Sequence, residues 1–105
     1  MTLLALLLMT VPALAESSYK LVWFRTDWCP WSAKMKPSVE KFTAEHRVES
    51  VQVNLDQTDS PAYKQYSKYN PKSAVPYLVL LDAKGKVVRS WDRYVTLDDL
   101  ESALR

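Results

Sequence analysis

The sequence predicts an α/β layer fold built from one domain. Apolar, β-prone runs alternate along the chain with segments of helical spacing, and no repeat or long linker divides them. The predicted order is strand, helix, strand, helix, strand, strand, helix, which is a βαβ unit followed by a hairpin and a last helix. A chain of 105 residues suits one domain and leaves little room for a second.

The βαβ unit begins with a strand and a long helix. Leu21–Phe24 is a continuous apolar run, typical of a strand buried on both faces. A helix is predicted from Pro30 to about His46, because apolar residues recur there at helical spacing between charged ones. Met35 belongs to that apolar stripe and is assigned to the core. Residues 51–55 alternate between apolar and polar side chains, which predicts the second strand.

A second helix follows at Ser60-Pro61, where a capping residue precedes proline at the first helical position. This helix carries Tyr63, Tyr66 and Tyr69. A packing face is the favoured role of these tyrosines, and a binding surface is the alternative.

The C-terminal part predicts a hairpin and a last helix. Tyr77–Leu81 is a second continuous apolar strand, and the turn at 82–85 contains the one glycine of the chain. Residues 87–91 form the returning strand. Thr96, with Asp99 three residues later, resembles a capping box that opens the final helix.

Charge and composition exclude several classes of function. The formal charge is +2, and the two signs are mixed along the sequence without a basic block. This balance does not support binding to nucleic acid or to a membrane surface by charge. The acidic residues show no paired-carboxylate spacing, and a single histidine, His46, with a single cysteine does not make a zinc set. We therefore expect no metal and no cofactor, and a solvated helix-end position for His46.

The N-terminal segment resembles a targeting signal. Residues 1–15 carry no charged side chain and form a short apolar run that ends in Ala-Leu-Ala. This pattern predicts a secretory signal peptide cleaved before Glu16, which leaves residues 16–105 as the mature domain, exported to the periplasm or secreted. An uncleaved anchor and the first helix of the fold are the alternatives, although a helix that spans a bilayer needs about 20 residues.

Cys29 is the one cysteine of the chain. A cysteine left over in an exported protein indicates an intermolecular partner or a free reactive thiol, and an inert core cysteine is the alternative. Cys29 follows the first strand and precedes its helix, where unpaired N–H groups and the helix dipole favour thiolate. The position favours the reactive interpretation, and we expect an exposed, partly ionised thiol. Ser32, one helical turn later, is a candidate hydrogen-bond donor to the sulfur.

The stretch Trp28-Cys29-Pro30-Trp31 resembles the active-site motif of the thioredoxin family, in which Trp-Cys-x-x-Cys follows the central strand. Pro37 stands where the family helix carries a kinking proline, and Val75-Pro76 resembles the family's cis-proline. The turn at 82–85 resembles the hairpin of exported bacterial members. The resemblance covers nearly all of residues 16–105 and implies a thioredoxin-like fold, with a central mixed sheet flanked by helices and without the family's first strand and helix.

Two departures from the family pattern bear on activity. Ser32 occupies the position of the second, resolving cysteine, and Trp23 occupies that of the buried acid that assists its deprotonation. The paired loss favours Ser32 as the native residue. Residues between the two cysteine positions face solvent in the family, so Trp31 is a candidate substrate contact, with packing over the helix start as the alternative.

These observations predict an exported monothiol oxidoreductase or isomerase. Cys29 would form mixed disulfides with a cysteine-containing client protein or glutathione, and these would last until an external thiol attacks, because a serine does not resolve them. Isomerisation, deglutathionylation and client retention are all compatible with that chemistry. The predicted catalytic residues are Cys29 and Ser32, and the predicted substrate-binding residues are Trp28, Pro30, Trp31, Val75 and Pro76. The alternative is a non-catalytic binding or regulatory module that holds an extended peptide in the same groove.

Overall fold

The structure is a computed structural model, and it describes residues 19–105. The predicted signal peptide, residues 1–15, lies outside the described residues. The elements follow the predicted order: β1 Lys20–Arg25, α1 Pro30–Glu45, β2 Glu49–Asn54, α2 Pro61–Tyr66, β3 Tyr77–Leu81, β4 Val87–Trp91 and α3 Leu97–Ser102. A short 3₁₀ turn, Ser67–Tyr69, extends α2.

The strands form one mixed sheet in the order β2-β1-β3-β4. β1 runs parallel to β2 and antiparallel to β3, and β3 pairs with β4 in the predicted hairpin. Phe24, near the end of β1, stands opposite Tyr77 at the start of β3. The end of β1, the start of β3 and the end of β4 therefore share one edge of the sheet. The α/β fold with a central mixed sheet flanked by helices is confirmed.

The core has two layers, one on each face of the sheet. Leu21 and Trp23 of β1 pack with residues of α1 and α3, whereas Val22 and Phe24 pack on the α2 side. All four side chains are at most 1% exposed. β1 reads as a continuous apolar run because both of its faces are covered.

α1 is the longest helix, with 16 residues. It begins after Cys29 with Pro30 at the first position, where the missing N–H of proline costs nothing. Met35, Val39 and Phe42 face the sheet and are at most 1% exposed, so the assignment of Met35 to the core is confirmed. The long buried stripe anchors the helix, and with it the position of its first turn.

The tyrosines of the second helical segment form a packing face. Tyr66 is buried, and its hydroxyl accepts a hydrogen bond of 2.8 Å from Lys20 Nζ. Tyr69 donates its hydroxyl hydrogen to the Gly85 carbonyl at 3.1 Å. Tyr63 packs on the same cluster, and its backbone N–H donates to Ser60 Oγ at the predicted cap.

Side chains cap the two turns that flank β4. Asp82 Oδ1 accepts the N–H groups of Lys84 at 2.8 Å and of Lys86 at 2.9 Å, and Gly85 has a φ of +80°, where glycine is unstrained. Thr96 and Asp99 form the predicted capping box at the start of α3.

None of the helices between residues 19 and 105 combines the length and the apolar character that crossing a membrane requires.

Candidate active site

Cys29 is the N-cap residue of α1. Its backbone is extended, with φ −91° and ψ 112°, and its carbonyl accepts the N–H of Ala33 at 3.3 Å. Before it, Asp27 and Trp28 turn outward from the end of β1, and Trp28 is 67% exposed. The chain therefore passes from a buried strand to a buried helix face through a short exposed turn that carries the cysteine.

The prediction of an exposed thiol is wrong. Cys29 is 6% exposed, although Trp28 and Trp31 around it are solvent-facing. The reason is local: the first turn of α1 brings the Ser32 hydroxyl and the N–H groups of Ser32 and Trp31 close enough to the thiol to influence its ionisation. The sequence identifies the helix-start position of Cys29, but it does not reveal that the residue is buried there.

The environment of Cys29 favours its thiolate form. Burial, the largest single influence, raises the pKa of the thiol, whereas the Ser32 hydroxyl and the backbone N–H groups of Ser32 and Trp31 lower it. The hydrogen bonds together outweigh burial, so the pKa of Cys29 lies below its ordinary value. The side chain makes no capping hydrogen bond of full geometry.

Ser32 is completely buried beside the sulfur. Its Oγ meets no partner with full hydrogen-bond geometry among the described residues, yet it is close enough to Cys29 to favour the thiolate. Trp23 Nε1 and Thr26 Oγ1, at the end of β1, are also buried and unpaired. Buried polar atoms normally have partners, so these unpaired atoms near Cys29 in the chain mark an unusual region of this fold.

The sheet topology brings the other predicted residues to the same edge as Cys29. The Val75–Pro76 peptide bond is cis, and Pro76 is buried immediately before β3. Because β3 begins opposite the end of β1, this segment lies on the Cys29 side of the sheet. Pro30 is exposed at the start of α1.

Sequence reasoning missed Tyr94, which belongs to this site. Tyr94 follows β4 and is 38% exposed, and its ring lies 5.6 Å from that of Trp31, between ring centroids. Lys34 Nζ stands 4.8 Å from the Trp31 ring centroid. Trp31, 51% exposed, thus contacts both Tyr94 and Lys34 at the start of α1. Sheet topology could have revealed Tyr94, because the residue follows β4, which ends at the same edge of the sheet as β1 and Cys29.

The sequence predicts a solvated helix-end position for His46, whereas the structure places its side chain, 34% exposed, against α3. Its Nε2 lies 2.9 Å from Glu101 Oε2 on α3, and its ring packs 5.1 Å from that of Phe42. Glu45 joins them, and the possible ligand atoms of Glu45, His46 and Glu101 lie within 4.8 Å of one another. The cluster lies at the C-terminal end of α1, opposite Cys29, and links α1 to α3.

A mixed sheet with a cysteine at a helix start and a cis-proline on the neighbouring strand defines the class of thioredoxin-fold proteins. Residues 9–105 match the family model described as a thioredoxin-like domain. The chain belongs to that family. The match begins inside the segment predicted to be a signal peptide. Among curated protein sequences, no match was found.

Solved structures share the fold at low sequence identity. A malarial protein superposes with a TM-score of 0.69 at 20% identity, over 84% of this chain and 94% of that chain. Thioredoxin-2 of the malaria parasite, described as a component of its protein secretion machinery, gives 0.66 at 21% identity, over 83% and 81%. A mutant thioredoxin of Halobacterium salinarum gives 0.68 at 23% identity, over 82% and 71%. These likenesses concern the fold alone.

Proposed function

We propose that this domain performs thiol–disulfide exchange through Cys29 alone. The observation that carries the proposal is the pairing of a helix-capping cysteine of lowered pKa with a fully buried serine one turn later. The Cys29 thiolate attacks one sulfur of a disulfide, forms a new S–S bond with it, and expels the other sulfur as a thiolate that takes a proton from water. The number of disulfides is unchanged by this step.

Ser32 sets the ionisation of Cys29 but does not complete a dithiol cycle. Its hydroxyl lowers the pKa of Cys29, so it stabilises the attacking thiolate and the same sulfur when it leaves. A hydroxyl does not attack the mixed disulfide, so an external thiol must release the product. The bond to a client or to glutathione is therefore long-lived.

Access to the sulfur is narrow, since Cys29 is 6% exposed. A substrate reaches it between the exposed turn at Trp28 and Pro30, the Trp31–Tyr94 pair, and the segment Val75-Pro76. Such an opening favours an extended peptide or a small disulfide over a folded protein surface. We further propose that the domain, residues 16–105, acts after export, following removal of residues 1–15.

Mixed-disulfide capture with glutathione disulfide tests the proposal. Wild-type protein should gain one glutathione by mass spectrometry, and Cys29→Ala should gain none. Ser32→Cys should expel the glutathione and form an internal disulfide, whereas Ser32→Ala, the matched control, should retain it. We expect the gain in disulfide reductase activity of Ser32→Cys to be partial, because Trp23 offers no carboxylate to accept the proton of the new thiol. Wild-type reduction of insulin disulfides as fast as that of Ser32→Cys would contradict the single-thiol mechanism.

The low exposure of the sulfur also favours a second candidate, a binding module that holds a partner through the same groove without chemistry. Partner retention by Cys29→Ala distinguishes the two. A binding module keeps its partner after this change, whereas a partner held by a mixed disulfide is lost.

A further inference from the structure

A second feature near α1 is not explained by thiol chemistry. A cleft of about 240 Å³ lies between the sheet and the helix, lined by Trp23, Arg25, Ala33, Lys36 and Gln52. Trp23 and Gln52 stand opposite each other on β1 and β2, so the floor of the cleft is fixed by strand register. Cys29 does not line it.

The polar groups of this cleft offer hydrogen-bond donors and positive charge. The lining residues supply an indole N–H, a guanidinium, an ammonium and an amide, and none of them is acidic. Arg25 uses one guanidinium nitrogen on Asp27, at 2.9 Å, and has further N–H groups. The guanidinium also lies 5.7 Å from the Trp23 ring centroid, which holds it beside the cleft.

Two of these donors lack partners. Trp23 is 1% exposed, and its Nε1 makes no hydrogen bond with any part of the chain that the structure describes. No ion pair joins Lys36 to an acidic side chain within residues 19–105. A buried N–H without an acceptor is unfavourable, so Trp23, which lines the cleft, holds an unused donor.

We propose that this cleft binds an oxyanion, either a carboxylate or a phosphate group of a small molecule. Arg25 and Lys36 supply the positive charge, Gln52 supplies an amide, and Trp23 adds an indole N–H that has no partner. Arginine and lysine beside neutral N–H donors are the groups that recognise such anions in proteins. The site is independent of Cys29 and persists if the proposed exchange reaction is wrong.

Nuclear magnetic resonance of the ¹⁵N-labelled chain tests the proposal with inorganic phosphate and with acetate as probes, at constant ionic strength set by chloride. We expect saturable shifts of the Trp23 indole and Gln52 side-chain amide signals. The indole of Trp91, which is also buried and unpaired, serves as the internal control and should not shift. A stronger response to phosphate than to acetate assigns the site to tetrahedral anions, and the reverse assigns it to carboxylates. Absence of a saturable shift with either probe overturns the proposal.

Matched variants test whether the lining residues cause the binding. Lys36→Gln should weaken phosphate affinity about tenfold, the order of one charge-assisted hydrogen bond. Lys41→Gln removes the same charge from an exposed position of α1 outside the cleft and should leave the affinity unchanged. Gln52→Glu, at an exposed position, places a negative charge in the cleft and should abolish the shift. Equal losses in Lys36→Gln and Lys41→Gln would mean that general charge attraction, not a site, produces the response.

Discussion

The two ends of α1 differ in whether their polar side chains have hydrogen-bond partners. At the N-terminal end, Ser32 Oγ is buried without a full hydrogen-bond partner, and the Cys29 side chain makes no capping hydrogen bond of full geometry. At the C-terminal end, Thr43 Oγ1 donates to the Val39 carbonyl at 3.0 Å, and His46 pairs with Glu101 at 2.9 Å. One helix thus joins a region whose polar side chains lack full hydrogen-bond partners to a region where they have them.

We expect this difference to separate the ionisation of Cys29 from the stability of the fold along a single element. The Ser32 hydroxyl at the first turn has no full partner and favours a negative charge beside it, which the Cys29 thiolate supplies. The paired and apolar groups of the last turns instead hold α1 against the sheet and against α3. Changes at the two ends should therefore have separable effects.

The largest effect on stability is expected at Phe42. Phe42→Ala removes a completely buried ring and should lower the free energy of unfolding by about 3–5 kcal/mol, measured by urea denaturation. The exposed neighbour Lys41→Ala is the control and should change it by less than about 0.5 kcal/mol. In molecules that remain folded, the pH midpoint of Cys29 alkylation should not move. A shifted midpoint would show that the two ends of the helix are coupled.

Ser32→Ala should affect reactivity much more than stability. It removes the hydroxyl that lowers the pKa of Cys29, so the pKa rises and alkylation at neutral pH slows several-fold. The free energy of unfolding should change little, because the lost hydroxyl is buried without a full partner. Ser38→Ala, two turns along the same helix, is the matched control and should keep the wild-type profile. An unchanged midpoint in Ser32→Ala would contradict the role assigned to Ser32.

The lowered pKa of Cys29 also makes the free energy of unfolding depend on pH, with a defined sign. Because the pKa of Cys29 is lower in the folded state, the thiolate stabilises the fold. That contribution is present in full above the unfolded pKa and is lost as the pH falls through the folded pKa. Relative to Cys29→Ala, the wild type should gain stability as the pH rises across that interval, and Ser32→Ala should flatten the gain.

The smallest effect is expected at the opposite end of α1. Glu101→Gln removes the carboxylate that pairs with His46, and since about a third of each side chain is exposed the loss should be only about 0.3–1 kcal/mol. The loss should shrink at high salt, because exposed charges are screened. Glu40→Gln, which removes a carboxylate from an exposed position of α1 outside this cluster, is the matched control and should change the free energy of unfolding less. A change in the alkylation rate of Cys29 would again contradict the separation of the two ends.

The features that can be predicted from the sequence are those encoded by a few neighbouring residues. Tyr77–Leu81 and the Thr96–Asp99 capping box are predictable because a strand buried on both faces and a helix start have their own signatures within a few residues. The Trp31–Tyr94 contact, the His46–Glu101 pair and the burial of Cys29 are not, since each depends on how distant elements pack or on side-chain placement. The helix-start position of Cys29 is thus predictable from the sequence, and the contacts around it are not.

The four tryptophans of this chain divide into two optical classes. Trp23 and Trp91 are 1% and 4% exposed, whereas Trp28 and Trp31, on either side of Cys29, are 67% and 51% exposed. The red-shifted, quencher-accessible part of the intrinsic fluorescence therefore comes from the rim of the thiol, and the blue-shifted part comes from the interior. A partner that binds over Cys29 should therefore change the first component and leave the second unchanged, so the intrinsic fluorescence reports occupancy of the candidate site.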